Sequence, residues 1–304
     1  MHGQPLACAL FRNCTEDFRV DEIIDFEPSN EGEHVVVHIQ KRDQNTQWVA
    51  GLLSELAGID RGAVGFCGLK DRFAITTQWF SLHLPGREIT REQLQHNHFQ
   101  ILSMHRHHKK LRRGMHAGNT FKIILRDFNI DNLTLKARLA LIKSSGIPNY
   151  FAEQRFGWQG NNLIRVSELV ASGRLKGNRQ GTGLYLSAAR SWLFNLLLDS
   201  YIRRGNTCLD DTGALWGRGR STSNKELRKI ETKILNDWAE WCDALEHSGL
   251  QQDRRLFLMQ PQNLKYRYIE ADAVELGFSL PAGSYATAVL REIAELFRPG
   301  MTAL

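Results

Sequence analysis

A chain of 304 residues has room for one large domain or two ordinary ones, and for a sizeable core. Its 42% hydrophobic and 24% charged residues exclude a disordered or low-complexity protein, and a net charge of +6 leans mildly towards a polyanionic partner. Five cysteines with no C-x-x-C pair argue for reduced thiols in a cytosolic protein, against a disulfide framework or zinc site. Met1-His2-Gly3-Gln4-Pro5 lacks the basic-then-apolar pattern of a signal segment, and no apolar run approaches the roughly 18 residues that cross a bilayer.

Residues 34 to 40 read as a β-strand from their β-branched content. Asn45 or Thr46 then caps a helix with Trp48, Val49, Leu52, Leu53 and Leu56 on one face, ending near Gly58. A loop carrying Asp71 follows, then a strand from Gln78 to Leu84. In residues 121 to 126, Phe121, Ile123 and Leu125 share one face and Lys122, Ile124 and Arg126 the other. The next helix carries Leu135, Leu139 and Ile142 and stops at Ser144-Ser145-Gly146.

From Gly146 to about Met259 the texture becomes helical. One helix has Ala189, Trp192, Leu193, Leu196 and Leu197 in phase and ends at Arg203-Arg204-Gly205. A second has Leu227, Ile230, Ile234, Trp238, Trp241 and Leu245 at three-and-four spacing, which reads as core. Val274, Leu276, Phe278 and Leu280 then alternate as a strand. Pro281-Ala282-Gly283-Ser284 turns the chain, with Ser284 as N-cap of a closing helix through Val289, Leu290, Ile293 and Leu296. The fold class is therefore α/β (α+β).

Two clusters carry chemistry. Asp71 stands between Lys70 and Arg72, after two glycines and before a strand. An opposite charge favours the ionised carboxylate, which suits a nucleophile better than a proton donor. The plain alternative is a solvated loop of alternating charges. The second cluster runs from Arg106 to Arg113, five of whose eight residues are cations: Arg106, Lys109, Lys110, Arg112 and Arg113. Strand-like sequence flanks it, so it reads as a loop on a scaffold, suited to gripping phosphates. His105, His107 and His108 lack the carboxylate or thiol spacing of a metal site. No phosphate-cradle or dinucleotide motif is present; Gly217-x-Gly219 reads as a flexible link. An Asp-dependent glycosidase would need a second carboxylate opposite the first, and Glu16, Asp17, Asp21 and Glu22 lie too far along the chain to judge.

Gly68-x-Lys70-Asp71-Arg72-x-Ala74-x-Thr76-x-Gln78 resembles the signature of the TruD family of tRNA pseudouridine synthases. Five further blocks agree, in the family's order. They are Glu16-Asp17-Phe18-Arg19-Val20-Asp21-Glu22; Lys110-Leu111-Arg112-Arg113-Gly114 with Gly118-Asn119-Thr120-Phe121; Pro148-Asn149-Tyr150-Phe151-Ala152-Glu153-Gln154-Arg155-Phe156-Gly157; Leu186-Ser187-Ala188-Ala189-Arg190-Ser191-x-Leu193-Phe194-Asn195; and Leu280-Pro281-Ala282-Gly283-Ser284-Tyr285-Ala286-Thr287.

The resemblance implies a mixed-sheet pseudouridine synthase domain, residues 1–145 and 260–304, interrupted by a mostly helical inserted TruD-type domain, residues 146–259. It implies a cytoplasmic monomer that isomerises uridine 13 in the D-arm of tRNA, with no metal, no small-molecule cofactor and no membrane. Asp71 is the implied catalytic nucleophile, attacking C1′, attacking C6 or removing a proton. Phe18, Asn119 and Tyr285 are implied to contact substrate, with Phe121 as a wall of the same pocket. Two positions depart from the family: Arg12 replaces an expected lysine and keeps a charge for a phosphate or carboxylate, and Tyr285 replaces a common phenylalanine. The link Ser221 to Ser223 is shorter than in the family. A non-catalytic RNA-binding protein or chaperone on the same scaffold is the alternative.

Overall fold

Strands and helices alternate irregularly along the first 145 residues. The strands are β1 (Ala7–Phe11), β2 (Phe18–Ile23), β3 (His34–Arg42), β4 (Val64–Phe66), β5 (Ile75–His83), β6 (Phe99–His107) and β7 (Gly118–Arg126), with helices α1 (Thr46–Ala57), α2 (Arg91–Leu94) and α3 (Asn132–Ser145). The mainly helical stretch that follows holds β8 (Ile147–Pro148), α4 (Asn161–Ala171), α5 (Gly183–Arg203), β9 (Thr212–Leu215), α6 (Lys225–Ile234), α7 (Ala239–Glu246), β10 (Asp253–Leu256) and β11 (Leu258–Met259). Then come β12 (Gln262–Glu270), β13 (Ala273–Pro281), α8 (Ala286–Arg291) and β14 (Ala294–Phe297). The structure, a computed structural model, describes residues 1–176, 181–219 and 225–299. Contacts divide it into two units. One comprises Pro5–Ala137, Pro261–Gly283 and the described residues from Ile293 on; the other comprises Met1–Gln4, Arg138–Gln260 and Ser284–Glu292.

The first unit is built on a ten-stranded mixed sheet ordered β12-β13-β7-β2-β5-β3-β6, with β4 on β5 and β1 joining β7 to β14. β2–β5 and β1–β14 run parallel and the other pairs antiparallel. Alternation sets the phase: Phe121, Ile123 and Leu125 of β7 are buried while Lys122 is exposed. α1 begins where the Asn45 side chain accepts the main-chain N–H groups of Gln47 and Trp48, and ends at Gly58, in the left-handed conformation that glycine adopts without steric cost. Its Val49, Ala50, Leu53 and Ala57 pack on Val35, Val37, Ile39, Phe80 and Leu82. The second unit gathers Val166 and Leu169 of α4, Leu193, Phe194 and Leu197 of α5, and Trp241 and Leu245 of α7 into its own core, beside the β9–β10 pair.

Several expectations change. Trp48 lies off the buried face of α1, 41% exposed, edge-on to His98. The helix expected through 227–245 is two, α6 and α7, separated by a 3-10 turn at Asn236–Trp238, and Ile230, expected in the core, is 41% exposed while Leu235 is buried. Ser284 does not cap α8, whose N-cap is Tyr285. The closing helix stops at Arg291, and Leu296 belongs to β14, drawn into parallel pairing with β1. Gly217-x-Gly219 is no flexible link, because the Arg218 N–H donates to Leu250 O and Arg218 O accepts the Gln252 N–H. The link Ser221 to Ser223 lies outside the described residues.

Candidate active site

Asp71 sits on the segment between β4 and β5, which is fastened at both ends by buried Cys67 and Ala74. Burial pushes the Cys67 thiol up to about 12, so it remains a thiol. β5 and α1 hold the segment from behind. The Gln78 Nε2 donates to Gly68 O at 2.6 Å; the Thr46 hydroxyl donates to Gln78 Oε1 and accepts the Lys70 N–H, each at 3.0 Å. Lys70 turns inward. Its Nζ lies 2.6 Å from Glu22 Oε1, and the two side chains are 4% and 0% exposed. Glu22 Oε2 accepts the Trp79 N–H at 3.0 Å. Arg72 turns outward, its Nε 3.4 Å from Asp43 Oδ1.

Neither neighbour in sequence is therefore the ion-pair partner of Asp71. That partner is Arg12, whose Nη2 lies 3.0 Å from Asp71 Oδ2, with Arg12 8% exposed and Asp71 39%. Arg12 follows β1 with φ +59°, a left-handed conformation costing a non-glycine residue about 1–2 kcal/mol. Its guanidinium carbon lies 3.9 Å from the Phe18 ring centroid and 5.0 Å from that of Phe11. Burial lowers the Arg12 pKa from its ordinary value, with Asp71 opposing the shift. The carboxylate partner left open for Arg12 is the candidate nucleophile itself.

The β2–β7 register places Glu22 opposite Asn119, Val20 opposite Phe121 and Phe18 opposite Ile123. Phe18 and Phe121 are both buried, 6.3 Å apart between ring centroids, and Phe121 continues to Phe278 at 5.5 Å. Asn119 Oδ1 is buried without a hydrogen-bond partner, an acceptor whose desolvation is uncompensated. The four carboxylates of residues 16–22 are all engaged away from Asp71. Glu16 pairs with Arg42, Asp17 takes a two-oxygen grip from Arg126, Asp21 accepts the Thr77 hydroxyl, and Glu22 holds Lys70. The opposed pair that glycoside hydrolysis needs is not formed from them.

The basic stretch is half strand and half loop. Arg106 lies in β6 with its guanidinium bonded to Leu84 O, Arg87 O and Glu88, so its charge is used within the protein. Lys110 Nζ donates to Gly62 O, and Arg113 lies over the Phe66 ring at 4.5 Å. Lys109 and Arg112 are exposed and form no ion pair among the described residues. Leu111 is a buried anchor whose N–H donates to Ser81 Oγ at 2.9 Å, and the Gly114 N–H donates to Cys67 O at 2.8 Å. Gly65 permits this approach, since a Cβ there would stand 2.3 Å from Leu111 O. The basic loop is thus tied to the root of the Asp71 segment. His107 stacks on Phe26 at 4.9 Å and His105 Nδ1 lies 3.2 Å from Asn30 Oδ1. Among the described residues no three His, Cys, Asp or Glu side chains are grouped to hold a metal ion.

In the second unit, Tyr285 presents its hydroxyl to Arg155 Nη2 at 3.0 Å, and Arg155 Nη1 reaches Ser187 Oγ at 2.9 Å. Arg255 lies over the Phe151 ring at 4.1 Å and bonds to Asn149; burial lowers its pKa to about 10. Three separate sequence blocks, those of Asn149, Ser187 and Tyr285, meet around these two arginines.

The sequence model described as tRNA pseudouridine synthase D (TruD) matches residues 4–180 and 211–293. The chain belongs to the TruD family. The tRNA pseudouridine synthase D of Cellvibrio japonicus is 44% identical over 97% of this chain and 92% of its own length, and that of Aeromonas salmonicida 40% identical over 97% and 93%. A solved structure described as a putative TruD from Methanosarcina mazei shares the fold, with TM-score 0.69 and 19% identity over 97% of this chain and 95% of that one. Of the TruD blocks, those carrying Asp71, Phe18 and Asn119 lie in the first unit; Asn149, Ser187 and Tyr285 lie in the second. Reading the sequence missed Glu22, Thr46 and Gln78 as supports of the TruD loop. Glu22 had a signal, since it falls in phase with inward Phe18 and Val20.

Proposed function

We propose that this member of a tRNA pseudouridine synthase family isomerises uridine 13 in the D-arm of tRNA, with Asp71 as the nucleophile. The observation that carries the reading is the carboxylate of Asp71, half-exposed on a loop fastened from behind and paired with buried Arg12. The reaction breaks the N1–C1′ bond, turns the uracil and rejoins it through C5, moving the C5 proton to N1 overall. Adding to C1′, adding to C6 and removing a proton all require the anion. Arg12 holds that anion in place, and the unpaired Asn119 Oδ1 is an acceptor for an N–H on a uracil edge. Phe18 and Phe121 support Asn119 from the core of the first unit; Tyr285 is read separately, by the family resemblance, as a substrate-contacting residue. Residues 1–145 and 260–304 act as the catalytic domain and residues 146–259 as the inserted TruD-type domain. The protein works in the cytoplasm as a monomer. No helix among the described residues is long and apolar enough to cross a membrane.

Asp71→Asn tests the assignment. Pseudouridine mapping on unmodified tRNA transcripts should find no product, while tRNA affinity stays within a few-fold, because the cationic surface is intact. Turnover near wild type would refute Asp71 as the nucleophile.

A further inference from the structure

Leu69 and Phe73 stand two residues before and two after Asp71, and both are exposed, Leu69 57% and Phe73 44%. The rest of the segment's apolar residues are not: Cys67 and Ala74 are each 1% exposed. Lys70, between Leu69 and Asp71, is buried in its pair with Glu22. Anchoring at Lys70 and Ala74 therefore turns two large apolar side chains outward on either side of the carboxylate. Solvent gives no reason for that arrangement, since burying such side chains is favourable. A base drawn out of a stack does. It leaves exposed faces on its neighbours, and apolar side chains inserted at such steps cover them.

We propose that Leu69 and Phe73 are base-contacting residues that cover the nucleotides flanking the target uridine while Asp71 reacts with it. The inference rests on the uridine-isomerising reading above. It assigns to these two side chains the preference for a uridine that has stacked neighbours to lose.

The test uses Phe73→Ala, Leu69→Ala and the conservative Phe73→Tyr in the full chain. One substrate is the unmodified tRNA transcript; the other is the same transcript with abasic nucleotides on both sides of the modified uridine. Exposed positions should leave the melting temperature unchanged. On the intact transcript each alanine variant should lose roughly 10- to 100-fold in kcat/KM, the range expected of one lost base contact. On the abasic substrate, which has no stack to break, the variants should come within about threefold of wild type. Phe73→Tyr should restore activity on the intact transcript. Wild-type rates for both alanine variants there, or an equal loss on both substrates, would overturn the proposal. A wild-type protein that isomerises no uridine would overturn the reading of function and this inference with it.

Discussion

Replacing Glu22 by glutamine removes the negative half of an ion pair that lies beneath the Asp71 loop. Lys70 Nζ and Glu22 Oε1 are 2.6 Å apart and almost wholly buried. Glutamine is the same size but keeps one acceptor oxygen where two donors, the Lys70 ammonium and the Trp79 N–H, now converge. An ammonium without a counter-charge remains. Breaking a buried pair from one side costs about 3–5 kcal/mol. At about 2–4 °C per kcal/mol, the first unit should melt about 6–20 °C lower. Differential scanning calorimetry reads that shift, and hydrogen exchange should show the loosening in β2 and in residues 67–74. Activity should fall through kcat by roughly 100-fold if Asp71 moves by about 1 Å. The affinity for tRNA should hold, because the pair is not on the surface. Adding Lys70→Met removes the stranded charge, so the double variant should recover much of the stability. A Glu22→Gln protein that melts and turns over like wild type would refute the account of how the loop is held.

Neutralising Lys109 and Arg112 together should weaken tRNA binding and flatten its log–log salt slope by about 1.4–1.8, at roughly 0.7–0.9 per phosphate; neutralising Arg106 should instead cost stability, since its guanidinium serves Leu84 and Glu88. An unchanged salt slope in filter-binding titrations would place the RNA elsewhere. Lys41 is 1% exposed, and burial lowers its pKa to about 8 despite a hydrogen bond to Gln44 O. Its unfolded form binds more protons between about pH 8 and 10.4, so its destabilising effect is full below 8 and fades as pH rises towards 10.4. Lys41→Met should therefore melt above wild type at pH 7, with the gap closing by pH 10; a gap independent of pH would count against this.

Local pattern was enough for β3, β7, β13 and α1, where alternation or a cap and a terminal glycine leave one solution. It failed where distant pairing decides. Val289, Leu290, Ile293 and Leu296 satisfy a helical period, yet the Leu6 N–H donates to Ile293 O and Ala294 pairs with Ala7, so the last of them lies in a strand. The site divides in the same way. Asp71 was legible because its block is contiguous. Its charge partner was not, since nothing local links residue 12 to residue 71, and the adjacent cations that made Asp71 conspicuous serve Glu22 and Asp43. The basic run was legible as charge, but composition cannot tell Lys109, which faces solvent, from Arg106, which is spent on carbonyls.

The pairing of β1 with β14 joins Ala7 to Ala294, and β13 takes the flank of β7 that β2 leaves open. During translation β1, β2 and β7 emerge long before either partner exists. Until residues 273–281 leave the ribosome, the outer edge of β7 offers a row of unpaired N–H and C=O groups beside Phe121, Ile123 and Leu125. The segment 138–260, which builds most of the other unit, is synthesised in the interval. Completion of the ten-stranded sheet thus waits on some of the last residues made, the kind of long-separation pairing that slows folding and leaves a nascent chain open to association with its neighbours.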